Sequence, residues 1–513
     1  MNWLKLKSVA ENYPVFRWVF LAIAIAFSIM AWERILYADA AFTAFNVLNL
    51  LPAVEHHRYT QWLVLAPAYL GVKLGLPIQF IIVLLSLTPV CLAWLIAEFL
   101  RKSRNDISGL QLLYFPAIFL ISGPDFQFLG TAEMISALIF AGAFALDRTP
   151  IPSTIWLTLS YLAHPGILPA LFFLLIIKEF CWKNYVVVIL VVILKQLLIP
   201  PNPYEVGILQ KLNIQDGLAF FNSWGFNYFI SSLFGGWATP YLLIFLLILI
   251  YSDLKNRLFL GIGVLISLFL AFIYREGESD MMMQKSFAPI LPILWFLATK
   301  NSARNQLKPN PNSAVNTILQ PLYKLKTASK IHYHSIRNTV LIFCCLWGSF
   351  YVLRSYQFHH SRLKLLDLKL TTLSHPAKKA VGPEYFHPDQ FKINWAIPYE
   401  SLMRSAYLSS CYLNSYTLNS SIFDSTSFDS SSLAPSSSAN SPSPTKNTLN
   451  SVKKTIKINT FCIVNDSNEA IKKPLGIDQF LGAPFAYPIQ VKDLNPTYFN
   501  GLSKDKYLWM GSN

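Results

Sequence analysis

The stretch IQFIIVLLSLTPVCLAWLIAEFL, residues 78–100, carries no charge before Glu98. A bilayer span needs roughly 20 mostly apolar residues, so this run alone meets the requirement. YLLIFLLILIY (241–251), LFLGIGVLISLFLAFIY (258–274) and VLIFCCLWGSFYVL (340–353) have the same character. The whole chain agrees: of 513 residues, 53% are hydrophobic and 13% charged, against about 25% charged in a soluble domain. Lys and Arg number 42 against 27 Asp and Glu. In a chain this apolar, that surplus points to a membrane surface rather than to nucleic acid. The sequence therefore predicts a polytopic, all-helical membrane domain.

Basic residues concentrate in short cytoplasmic loops, and this bias orients the spans. Residues 300–337 hold Lys300, Arg304, Lys308, Lys324, Lys326, Lys330 and Arg337 with no Asp or Glu, and are read as a cytoplasmic loop. Counting from it places RKSR (101–104), DR (147–148), KEFCWKN (178–184) and the N-terminus inside. The run Val15–Trp32 is read as a retained first span, because nothing resembling a small-x-small cleavage site follows it. Two segments need special treatment. TQWLVLAPAYLGVKLGL (60–76) must lie on or dip into the outer surface, and 152–180 must break at His164-Pro165-Gly166 into two short legs. About eleven spans result, with residues 1–353 as the membrane domain and 354–513 outside.

With this topology the ionisable residues near the apolar core gather on the outer face. Loop one supplies Glu33, Arg34, Asp39, Glu55, His56, His57 and Arg58. GPDFQFLGTAE supplies Asp125 and Glu133, the broken hairpin His164, and the last outer loop Arg275, Glu276, Glu278, Asp280 and Lys285. Ionisable groups at membrane depth are costly and usually line a pathway or a site. Arg58 and Lys285 equally suit snorkelling span ends, His164 suits a capping role, and adjacent His56 and His57 suit a surface. Asp39 lies in a helical-looking stretch among Ile35, Leu36, Ala40, Ala41 and Phe42, close to the first span.

A first span entering from the cytoplasm, an acid soon after it (YADAAF, Asp39), a basic residue on a second outer segment (HHRYTQW, Arg58), many short spans and a C-terminal extracytoplasmic domain together resemble the GT-C superfamily of membrane glycosyltransferases. The resemblance covers roughly residues 15–300. It implies sugar transfer from a polyprenyl-phosphate-linked donor to a glycan, lipid or protein acceptor at the outer face of the plasma (inner) membrane. In that chemistry Asp39 is the candidate base for the acceptor hydroxyl. Arg34, Arg58, His164, Arg275 and Lys285 are candidates to bind the leaving phosphate, with Glu55, His57, Asp125 and Glu133 supporting them. The cofactor is left open, a divalent cation being the candidate. No nucleotide-phosphate loop, HExxH, GxSxG or CxxC occurs, which speaks against an ATPase-driven pump and the common zinc proteases and hydrolases. A transporter or flippase, and a non-catalytic envelope assembly protein, are the alternative readings.

The extracytoplasmic region is expected to be a small mixed α/β domain. TIKINTFCIVND (455–466) alternates like a strand, while the Ser/Pro-rich 420–451 lacks apolar periodicity and is expected to be a disordered insertion. Of six cysteines, Cys411 and Cys462 fall in this region. They either pair or stay free. A bridge would close a loop of about 50 residues and stabilise the domain by roughly 4 kcal/mol on the chain-entropy account.

Overall fold

A computed structural model describes residues 15–51, 58–104, 106–128, 133–178, 182–199, 224–251, 258, 260–265, 284, 287–299 and 316–373. Beyond these it describes 379–381, 396–397, 399–408, 460–462, 475–476, 479–480, 489–490, 495–499 and 506–510. These residues are mostly helical and divide into two units, Met1–Leu363 and Lys364–Asn513.

The quoted stretch forms α5, Ile78–Ser103, starting directly after Pro77. Ahead of it lie α1 (Val15–Ile29), α2 (Ala31–Ile35), α3 (Ala38–Leu48) and α4 (Trp62–Lys73). After it come α6 (Tyr114–Ile121), α7 (Glu133–Leu146), α8 (Pro150–Ala163) and α9 (Leu168–Ile177). Next are α10 (Trp182–Leu198), α11 (Trp224–Ser232), α12 (Thr239–Tyr251) and α13 (Leu291–Thr299). Finally α14 runs unbroken from Asn316 to Leu373. Among the described residues, α5 and Ser335–Leu370 of α14 are long and apolar enough to cross a membrane, and six further helices are apolar but shorter.

Helix α7 is the centre of the first unit. Every residue from Met134 to Leu146 is buried, as a helix apolar on all sides must be. It packs against α5, α6, α8 and α13. Gly142 lets α6 approach, since a Cβ there would lie 1.9 Å from the Tyr114 ring. Helix α5 in turn packs on α1, α2, α4 and α6.

One expectation about an irregular segment matches the local structure. Helices α8 and α9 are separated at His164 by a single turn, Pro165–Ile167, where proline cannot continue the preceding hydrogen-bond ladder.

One expectation is corrected. The basic segment read as a loop over 300–337 is helical from Asn316 onward, and the helix does not stop at 353. Residues 300–315 lie outside the described ones. The boundary between units falls at Leu363 and Lys364 rather than after 353. The physical reason is a continuous buried stripe at 3–4-residue spacing: Leu341, Cys344, Gly348, Val352, Ser355, His359 and Arg362. The hydropathy falls after 353, but the helical period does not.

Short connections force neighbouring helices to run antiparallel, which gives the unit two distinct ends. At one end, Glu98 of α5 holds Arg17 and Arg101. There Asp147, in the α7–α8 link, accepts from Arg104 Nε at 3.2 Å, Thr149 Oγ1 at 2.6 Å and Trp156 Nε1 at 3.1 Å. Lys178 Nζ donates to the carbonyl of Phe144, to that of Asp147 at 2.6 Å and to Ser153 Oγ at 3.1 Å, closing the carbonyl end of α7 with a cation. The clusters 101–104 and 147–148 and Lys178 thus share one end.

Burial pushes the Asp147 carboxyl up, but the bonds from Thr149 and Trp156 and the Arg104 charge outweigh it, holding the group below its ordinary value. A depressed carboxyl contributes stability that is complete above its unfolded value, near pH 4, and is lost as pH falls through the folded value. Asp147→Asn is expected to lower stability by about 1–3 kcal/mol and to flatten the acid limb of a detergent-solubilised melting profile. An unchanged limb would show that Asp147 does not set it.

Among its described residues the second unit contains a helical run at 399–408, a short helix at Pro496–Phe499 and six short strands. Strands β1 (Lys379–Val381), β2 (Thr460–Cys462), β3 (Leu475–Gly476) and β6 (Lys506–Met510) form a sheet in the order β2-β1-β6-β3. β1 is parallel to both its neighbours and β3 antiparallel to β6. β4 (Gln479–Phe480) and β5 (Ile489–Gln490) pair separately. Arg404 binds Asp367 through two nitrogens, at 2.6 and 2.8 Å.

Candidate functional site

The other end of the first unit collects the residues that the sequence put forward. Glu133 opens α7 and His164 closes α8, so the antiparallel pair brings both to this end. Arg58 precedes the turn Tyr59–Gln61, which packs on α8, with Thr60 Oγ1 donating to the Leu159 carbonyl at 3.2 Å. This places Arg58 Nη1 2.6 Å from Glu133 Oε2, with 10% and 22% of the two side chains exposed. Two candidates separated by 75 residues therefore form one ion pair, and the arginine charge is already matched by a carboxylate.

His164 is 1% exposed, and its Nδ1 accepts from the Gly166 backbone N–H at 3.0 Å. That is a capping geometry, the role the sequence left open beside substrate contact.

Asp125 starts the turn Asp125–Phe128. Its carboxylate accepts from Gln284 Nε2 at 3.1 Å and from the Ser355 hydroxyl of α14. Gln284 Oε1 accepts in return from the backbone N–H of Asp125 and of Phe126, at 2.9 and 3.1 Å. Gly123 is essential to this approach. Its φ is +138°, and a Cβ there would lie 2.6 Å from Gln284 Oε1.

Arg34 departs from the expected role. It is fully buried, donating from Nε to the Gln127 carbonyl at 3.0 Å and from Nη1 to the Ser86 carbonyl and hydroxyl at 2.7 and 2.6 Å. Its guanidinium carbon lies 3.5 Å from the centre of the Phe27 ring. A cation seated this deeply joins α2, α5 and the 125–128 turn; it does not face an incoming phosphate.

Asp39 stands exposed in the first turn of α3, with Thr43 Oγ1 donating to its carbonyl at 2.8 Å. The preceding residue, Ala38, has φ +46°, a left-handed conformation that costs a non-glycine residue about 1–2 kcal/mol. Such strain persists where the surroundings hold it, and it clusters at functional sites.

The holding comes from α14 beyond residue 353, a segment that sequence reasoning assigned to a separate outer domain. Arg362 Nη1 donates to the Leu36 carbonyl at 3.0 Å and its guanidinium lies 5.0 Å from the Tyr37 ring centre. His359 stacks on Phe128 at 4.4 Å and meets Tyr37 edge-on at 4.7 Å. His360 Nδ1 lies 2.7 Å from Glu33 Oε1. Ser355, His359 and Arg362 are spaced i, i+4, i+7, the helical signal by which RSYQFHHSR could have been read as a docking face.

Among the described residues, no group of three or more His, Cys, Asp or Glu is arranged to hold a metal ion. Glu55, His57, Arg275, Lys285 and Cys411 lie outside the described residues, and of Cys462 only the backbone in β2 is described. No protein-family model, curated protein or solved structure matches the chain.

Proposed function

We propose that this protein is a membrane glycosyltransferase of the GT-C type, moving a sugar from a polyprenyl-phosphate donor to a glycan, lipid or protein acceptor. The observation that carries the reading is the division of charge between the two ends of the helical unit. Arginine and lysine pairs occupy one end, as basic residues do on the cytoplasmic side. Glu33, Asp39, Asp125, Glu133 and three histidines occupy the other, together with Arg34, Arg58 and Arg362, and the strained backbone of Ala38 lies beside Asp39. On this reading the chain has about eleven spans, its N-terminus is cytoplasmic, and the second unit is a mixed α/β domain outside the plasma membrane, bridged by Cys411 and Cys462.

The reaction needs a base at the acidic end, cations for the leaving phosphate and an apolar groove for the isoprenoid. Asp39 is the carboxylate put forward for the first task; Arg58, Arg275, Lys285 and His164 are put forward for the second.

The test is release of polyprenyl phosphate from a panel of undecaprenyl-phosphate hexoses and pentoses. It would use the full chain in lipid nanodiscs, with acceptor lipids supplied. Release by the wild type is expected, and Asp39→Ala is expected to reduce it about 100-fold or more. Release from no donor would remove the reading and favour transport or assembly. Undiminished release by Asp39→Ala would remove that residue from the chemistry.

A further inference from the structure

Glu33 and His360 lie 327 positions apart and meet through one short bond, Glu33 Oε1 to His360 Nδ1, at 2.7 Å. The Glu33 side chain is 6% exposed and that of His360 39%. The acid is therefore inside and the ring reaches the surface. An ionised carboxylate can only accept a hydrogen bond, which assigns the proton of the neutral ring to Nδ1. The lone pair then sits on Nε2, the ring atom not engaged by Glu33.

The surroundings fix this arrangement. The Tyr356 hydroxyl, one helical turn before, lies 3.4 Å from the same Nδ1. His359 and Arg362 pin the helix to Tyr37 and Leu36 on either side, so the ring is held relative to α2 as well as within α14. Salt-bridging alone would explain the pair as a staple between two helices. The staple reading does not need the free nitrogen to lie on a half-exposed ring at the acidic end of the unit.

We propose that Glu33 and His360 form a proton-accepting dyad, with Nε2 of His360 as the base and Glu33 setting its tautomer and orientation. A buried carboxylate orienting an accessible imidazole is the arrangement by which hydroxyl groups are activated on unrelated folds. Imidazole is also the side-chain base suited to neutral pH. The identity of the proton donor rests on the glycosyltransferase reading; the dyad itself does not. In that reaction the acceptor oxygen bonds to the anomeric carbon and the carbon–oxygen bond to phosphate breaks. Its electron pair leaves with the polyprenyl phosphate. The acceptor proton moves to Nε2 and passes from there to water. This makes His360 the rival of Asp39 for the same proton: loss of release in Asp39→Ala with release kept in His360→Gln would give the proton to Asp39 and overturn the base role of the dyad.

The first arm of the test needs no substrate. Full-length protein in nanodiscs is treated with diethyl pyrocarbonate, and modification is followed at each histidine by mass spectrometry. His360 is expected to react about tenfold faster than buried His359. Glu33→Gln is expected to slow it several-fold, because the amide can donate to Nδ1 and move the proton to Nε2. Equal rates at the two histidines, or no effect of Glu33→Gln, would overturn the dyad.

The second arm uses the polyprenyl-phosphate sugar panel. His360→Gln keeps a donor for Glu33 but offers no base, and is expected to lose about 10²- to 10⁴-fold in turnover. His360→Ala is expected to regain part of it with added imidazole, which a staple would not do. Wild-type turnover in His360→Gln would overturn the base role. Absence of release by the wild type, with modification still dependent on Glu33, would end the transfer reading and leave the dyad standing.

Discussion

Arg34→Met is expected to lower the stability of the first unit by about 3–5 kcal/mol, the range for removing one partner of a buried charged network. Methionine is close in length and fills most of the volume, so a cavity is not the main cost. The cost lies in what remains. The Gln127 and Ser86 carbonyls lose their donor in an interior closed to water, and each such orphan costs about 1–3 kcal/mol. The Phe27 ring also loses the cation on its face, a contact worth about 2 kcal/mol when desolvated. Arg34→Lys should fall between, because an ammonium group on a single stem cannot reproduce a planar fork that serves two carbonyls at once. The check is chemical or thermal unfolding in detergent, read beside polyprenyl phosphate release. A variant with wild-type stability and lost activity would return Arg34 to the phosphate-binding role that the sequence suggested.

That reversal shows where sequence reading stops. Glu33 and Arg34 follow a span directly, and nothing in ERILYADA tells that Arg34, buried like Glu33, meets protein carbonyls there. The answer lies in Ser86, Gln127 and Phe27, three residues from three other segments. The Arg58–Glu133 pair is equally non-local: each residue was selected for lying near an apolar run, but their pairing depends on how the Tyr59–Gln61 turn packs on α8. Local features were more legible. Ile78–Ser103 contains the apolar run 78–100, and the break at His164 follows from Pro165, both set within a few residues. The end of the last span differs because hydropathy falls after residue 353 while the helix continues to Leu373. Between Gly348 and Pro376 the chain has neither glycine nor proline, and helix propagation requires only good backbone formers, polar or not. Once α14 is continued, His359, His360 and Arg362 move from an outer domain to the acidic end of the helical unit.

Gly348→Leu is expected to detach that segment. Gly348 sits where α14 crosses the C-terminal end of α6, and a Cβ would lie 2.2 Å from the Leu120 carbonyl oxygen and 2.8 Å from its carbon. Those atoms are backbone, so no rotamer change can yield the space, and even alanine would force the helices apart. Small residues serve this purpose at close helix crossings inside membranes. An overpacked site costs about 1–3 kcal/mol, occasionally more, and leucine should reach the upper end. The further consequence is specific. Ser355, His359, His360 and Arg362 lie within four turns of the crossing on the same rigid helix, so a shift there is carried to Asp125, Glu33 and Leu36. Protease susceptibility of loop one should rise, and diethyl pyrocarbonate should reach His359, which is 2% exposed in the intact fold. Gly261→Ala is the control: nothing lies within 4 Å of a Cβ there, and alanine in a helix gains about 0.5–1 kcal/mol over glycine. If Gly348→Leu leaves His359 protected, α14 is not held by the α6 crossing, and the docking of its last turns must come from the polar contacts alone.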